Sequence, residues 1–182
     1  MRPDGAIYQD LLLRTRKGDA DRIASAALIP FGPGCTGFVK TAAGILLASL
    51  FGRGREARVQ RAIHCLDAVV EIRQGFWCRH ACSANILRAY AFHPDAARGR
   101  GMAKAVRTLR RIQTPSGSWP GIPFAATFSA LAHLDSRDAK AQVKKALPLV
   151  VRTQNADGTW GRGPRRELMS FQVVQAIRRI EA

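Results

Sequence analysis

The chain has 182 residues, 47% of them hydrophobic, which is enough for one folded domain with a real core. Its longest apolar run, over 41–51, is too short for the about 20 residues that span a bilayer, and Asp4 and Asp10 near the start argue against an export signal. The net charge of +16, with a pI near 11.2, suits a polyanion or an anionic membrane surface. The cations are spread along the chain and are mostly arginine, so a solvated basic face is the alternative reading. Four cysteines at uneven spacing, without an export signal, read as thiols or ligands rather than as a disulfide frame.

The first 54 residues read as a degenerate unit. Short helix candidates over 6–15 and 21–28 break near Gly18 and Pro30. Gly34-Cys35-Thr36-Gly37-Phe38 then stands where a turn is expected, with a helix over 40–50 behind it. Amphipathic helices are expected over 58–73, 101–112 and 138–153, each with one apolar stripe and an opposite side rich in Arg and Lys. Helices over 81–92, 124–134 and 167–180 carry fewer charges and more Ala, Ser and aromatics, the pattern of helices buried between layers. Asp95 and Asp135 are placed to cap the next outer helices. The expected fold is all-α, one domain over 1–182, with units at 1–54, 55–96, 97–136 and 137–182.

The three tryptophans end three similar turns: Gln74-Gly-Phe-Trp77, Gln113-Thr-Pro-Ser-Gly117-Ser-Trp119 and Gln154-Asn-Ala-Asp-Gly158-Thr-Trp160. They stand 42 and 41 positions apart, a period that marks a stacked repeat. Lys145-Ala146 running through Leu147, Leu149, Val150 and Val151 to Gln154, Gly158 and Trp160 resembles the QW repeat of squalene and oxidosqualene cyclases and of protein-prenyltransferase β subunits. The stretch from Lys104-Ala105 to Gln113, Gly117 and Trp119 resembles it equally, and the stretch from Arg61-Ala62 to Trp77 is a shortened copy. The resemblance covers about 55–182. It implies an α/α toroid of helical hairpins with a repeat of about 41 residues, here a partial ring of four hairpins that a second copy or a neighbouring domain would complete. It also implies that the glutamines and tryptophans fasten hairpins together, and that the inner helices enclose a cavity for an isoprenoid or other apolar lipid. A HEAT or armadillo-like solenoid has a similar period, but does not ask for glutamine, glycine and tryptophan in every turn.

An enzyme of this type would be an isomerase (a terpene cyclase) or a prenyltransferase. The acidic Asp-x-Asp-Asp cluster that starts cyclisation in squalene-type cyclases is absent, and so is an Asp-Asp-x-x-Asp for magnesium diphosphate. The nearest pairs, Asp19 with Asp21 and Asp135 with Asp138, read as helix starts. One constellation carries other chemistry. Cys78, His80 and Cys82 place two thiols and an imidazole within five residues at the start of an inner helix, where Arg79 and the helix N-terminus favour thiolate. Zinc takes such ligands, and Cys35 stands in the corresponding turn of the first unit. Packing cysteines beside one polar histidine, or a reactive thiol, are the alternatives. His64 and Cys65 read as packing residues, and His93 and His133 as imidazoles near inner-helix C-termini that suit the helix dipole. Phe124, Phe128 and Phe171, with Trp77 and the other tryptophans, read either as core or as the lining of a lipid cavity.

Three functions follow as expectations. The first is a terpenoid cyclase or prenyltransferase-like repeat protein that binds an isoprenoid. The second is a non-catalytic basic module that binds an anionic partner. The third is a zinc- or thiol-dependent prenyltransferase-like enzyme. The expected location is cytoplasmic, with a peripheral membrane position fitting the charge.

Overall fold

The described residues of this computed structural model, 36–78 and 81–181, hold seven α-helices: α1 Thr36–Leu50, α2 Ala57–Ile72, α3 Ala81–Ala91, α4 Arg100–Ile112, α5 Phe124–Ala132, α6 Arg137–Arg152 and α7 Arg166–Glu181. Among these residues there is no strand; one isolated bridge pairs Gln154 with Trp160. Every helix expected from residue 40 onward is present, most within two residues of its expected ends. The helices expected over 6–15 and 21–28, Cys35, and Arg79 and His80 of the first turn lie outside the described residues.

The helices form two rows. α1, α3, α5 and α7 pack side by side in that order, and α2, α4 and α6 form a second row against them. The outer row follows from one-sided sequences. α4 buries Met102, Ala105, Val106 and Leu109 at helical spacing and turns Arg100, Arg107, Arg110 and Arg111 outward. α2 does the same with Val59, Ile63, Leu66 and Val70, and α6 with Ala139, Val143, Ala146 and Val150. The inner row follows from the opposite pattern. α3 is buried from Cys82 to Ala91 and α5 from Ala125 to Leu131, so neither helix has a solvated side over those residues.

Three expectations are corrected. Phe38 does not end a turn, as its place in 34–38 led one to expect, because α1 starts at Thr36 and Phe38 lies inside it as a core residue. Asp95 does not cap α4. Its carboxylate holds Arg55 at 3.2 Å, and Gly99 is the residue before the helix. Asp135 does not cap α6. Ser136 does, its Oγ accepting the Ala139 amide at 3.2 Å, while Asp135 pairs with Lys140 at 3.5 Å.

Neighbouring helices of the outer row also approach closely. A Cβ on Gly101 would stand 2.1 Å from Asp67 Oδ1, so any larger residue there would push the Asp67 carboxylate aside where α4 lies on α2. Asp67 is itself tied down, accepting the Tyr90 hydroxyl at 3.0 Å. Burial holds the Asp67 carboxyl above its ordinary range, and the Tyr90 hydrogen bond acts against this.

Candidate functional site

The second and third turns are the same structure twice. In each, the amide of the residue after the glutamine donates across the turn: Thr114 N–H to Ser118 O at 2.9 Å, and Asn155 N–H to Thr159 O at 2.8 Å. The glutamine side chain then closes the turn. Gln113 Nε2 donates to Gly117 O at 3.1 Å and Gln154 Nε2 to Gly158 O at 3.0 Å. Both glycines sit at positive φ, 91° and 80°, which L side chains rarely adopt.

The first turn is built differently because it is three residues shorter between glutamine and tryptophan. Gln74 itself takes the left-handed position, at φ 55°, and Gly75 N–H returns to Val70 O at 2.8 Å. This is a Schellman close of α2. Gln74 is therefore exposed and ends a helix, rather than closing a turn with its side chain.

Only the second turn uses both glutamine and tryptophan to hold the next hairpin. Gln113 Nε2 donates a second bond to Gln142 O on α6 at 2.9 Å, and Trp119 Nε1 donates to Gln142 Oε1 at 3.1 Å. Gln142 Nε2 is spent on Val106 O at 3.0 Å and Asp138 O at 3.1 Å. Trp77 and Trp160 instead donate to their own outer helices, to Leu66 O at 3.0 Å and Val150 O at 2.7 Å. Gln142 was not singled out from the sequence. It could have been found as an amide inside the apolar stripe Ala139–Val143–Ala146, where a buried polar group demands partners.

Between consecutive turns lie two clefts at corresponding places. The first, of about 720 Å³, is lined by Phe76, Ile112, Pro120 and Ile122, with Arg73 and Cys78 at its wall. The second, of about 540 Å³, is lined by Phe124, Leu149, Trp160, Met169 and Val173, with Arg152 and Arg162. Both volumes fall in the range of small-ligand pockets, roughly 300–1,000 Å³. Each has an apolar wall and arginine beside it, and among the described residues neither is lined by a carboxylate.

The candidate residues separate on this map. Cys78 is half-buried and lines the first cleft. Cys82 is 1% exposed and sits in the hydrophobic core. Among the described residues no three His, Cys, Asp or Glu side chains gather as a metal site. The three aromatic candidates part as well. Phe128 is fully buried core, Phe124 stacks on it with centroids 5.9 Å apart and reaches the second cleft, and Phe171 is 47% exposed on α7. Trp119 lies 5.7 Å from Phe124. His64 is exposed rather than packed, and Cys65 is half-buried.

The two inner-helix histidines are held in different ways. His93 is fully buried, its Nδ1 accepting the amides of Asp95 at 3.2 Å and Ala96 at 3.0 Å while Nε2–H donates to Gly54 O at 2.8 Å. It is a strut between two loops. His133 packs on Phe92 with centroids 4.3 Å apart, and Arg88 lies 5.7 Å over the same Phe92 ring. Burial lowers the Arg88 pKa to about 10. At His133, burial and then the positive charges of Arg179 and Arg88 lower the pKa below its usual value, against the bond to Ser129 O. The unfolded chain, with an ordinary histidine near 6.5, binds a proton that the folded site resists. Stability therefore falls as pH drops through about 6.5. Urea midpoints measured at pH 7.5 and 5.5 should show a smaller acid loss in His133→Gln than in the natural chain; equal losses would remove His133 as the cause.

Compared with protein-family models and with curated proteins, the chain gives no match. Among the described residues no helix is long and apolar enough to cross a membrane.

Proposed function

We propose that the chain is a helical-repeat protein of the terpenoid cyclase and prenyltransferase type, a segment of an α/α toroid, that holds an isoprenoid or other apolar lipid in the cleft between its first two turns. The observation that carries this reading is the lining of that cleft. Phe76, Ile112, Pro120 and Ile122 offer an apolar wall to a hydrocarbon chain, and Arg73 offers a cation to a phosphate or carboxylate head. The role proposed is binding rather than cyclisation, because none of the described residues that line the cleft is a carboxylic acid able to protonate an alkene.

A second reading has its own support. Exposed cations on the outer helices, among them Arg58, Arg61, Arg107, Arg111, Lys144 and Arg152, have no ion pair among the described residues. Such a face attracts polyanions and anionic membranes in a salt-dependent way.

One titration separates the two. Farnesyl diphosphate and farnesol are titrated into the natural chain and into Ile122→Arg, with phosphatidylserine vesicles as a parallel ligand. Cleft binding predicts uptake of both prenyl probes, the diphosphate more tightly, and at least a tenfold loss in Ile122→Arg. Vesicle binding that collapses with salt and ignores Ile122→Arg, without prenyl binding, would replace the cleft by the outer face.

A further inference from the structure

The third turn repeats the closing glutamine and the positive-φ glycine of the second, but no described helix lies on it. At the second turn, α6 is seated so closely that a Cβ on Gly117 would stand 2.5 Å from Lys145 O and 2.7 Å from Ala146 Cα. At the third, a Cβ on Gly158 would meet only Gln154 Nε2, at 3.8 Å. Gln113 spends a second bond on the backbone of α6, whereas exposed Gln154 bonds only within its own turn. The seat for an outer helix is thus repeated and unfilled among the described residues.

The groove beside that seat has a definite chemistry. Between α6 and α7 a space of about 670 Å³ has Val143, Leu147 and Ile180 as its apolar floor and Lys140, Lys144 and Arg179 along its sides. Asp135 also borders it, engaged by Lys140 at 3.5 Å. On the side of α7 turned away from α5, Phe171 and Val174 stand one turn apart and are 47% and 38% exposed.

We propose that this groove is the docking site of an acidic amphipathic helix from a partner protein, seated on α6, α7 and the third turn as α6 is seated on the second. Two observations choose the occupant. The interface inside the chain already shows what the seat accepts, an outer helix with a small residue against the turn glycine. The charge of the groove selects the sign. This chain's own outer helices are basic, so a second copy would bring Arg and Lys against Lys140, Lys144 and Arg179, whereas Glu and Asp at the edges of an apolar stripe would pair with them.

The test uses the full chain and two stapled helical peptides copied from residues 137–152. One keeps the natural charges; in the other every Arg and Lys is replaced by Glu, with Gln142, Val143 and Ala146 retained. By fluorescence anisotropy the acidic peptide should bind with a micromolar dissociation constant and the natural one at least ten times more weakly. The double variant Lys140→Glu/Lys144→Glu should weaken the acidic peptide at least tenfold, while Arg58→Glu/Arg61→Glu, on α2, should not change it. Absence of binding, or binding indifferent to the α6 variant, overturns the proposal. So does tight binding of the natural peptide, or a dimer in sedimentation that Lys144→Glu dissolves; either would assign the groove to a second copy.

Discussion

Gly117→Ala should cost about 3 kcal/mol of folding stability, and Gly158→Ala only about 1 kcal/mol, although the two glycines occupy the same place in the same turn. Both substitutions force a side chain into a positive φ, at about 1–2 kcal/mol before relaxation. Only at Gly117 does the new methyl also meet backbone, with Lys145 O at 2.5 Å and Ala146 Cα at 2.7 Å. Backbone cannot rotate away as a side chain can, so α6 must shift from the second turn, and overpacking of this kind costs roughly 1–3 kcal/mol more. The shift would also stretch the bonds from Gln113 and Trp119 to Gln142. Urea denaturation of the two variants beside the natural chain measures the difference. Equal losses would mean that the turn does not hold the next hairpin.

Trp77→Ala should cost about 3–5 kcal/mol, the usual range for removing a large buried aromatic. Trp77 is 1% exposed, packs edge-on against Tyr90 with centroids 5.2 Å apart, and donates to Leu66 O at 3.0 Å. Its removal leaves a cavity among α2, α3 and the first turn. It also leaves Tyr90 without the ring that backs it, and Tyr90 holds Asp67 and Ile63 O. Against a total stability of about 5–15 kcal/mol, this is enough to leave the chain partly unfolded at 37 °C. Thermal denaturation followed by circular dichroism reads the loss. Trp77→Phe, which keeps most of the ring and loses the N–H bond, should lie about midway; a Trp77→Ala variant as stable as the natural chain would show that the first turn is not part of the core.

The outer helices were legible because each has one apolar stripe, and α3 and α5 because they carry few charges. α7, read as a helix buried between layers, buries only Gln172, Val173 and Ala176 and keeps Arg178 and Arg179 exposed, because no described helix covers its far side. The turn glycines Gly75, Gly117 and Gly158 were legible through their fixed distance before each tryptophan, though their positive φ was not. What the repeat hid is that equal letters do unequal work. Gln74, Gln113 and Gln154 align, yet loop length decides whether the glutamine ends a helix or closes a turn, and a neighbouring helix decides whether it also fastens a hairpin. Gln142 was hidden by the same logic, since its role is set by a residue 29 positions earlier in the chain. The caps were misread because Asp95 and Asp135 each had a cation within reach, and a surface ion pair competes with a cap at similar energy. The site was legible only in part. Cys78 does reach a cleft, but the apolar wall beside it is assembled from Phe76, Ile112 and Ile122, residues from three segments that no local pattern links.

Whether the first cleft holds an apolar chain decides the functional site. Protein purified without added lipid, extracted with organic solvent and examined by mass spectrometry, tests this most directly. An isoprenoid or acyl lipid is expected at near one per chain, and it should be lost from folded Ile122→Arg while Arg58→Glu/Arg61→Glu retains it. The same lipid recovered equally from Ile122→Arg, or no lipid from the natural chain together with no uptake of prenyl probes, would contradict the cleft as the functional site.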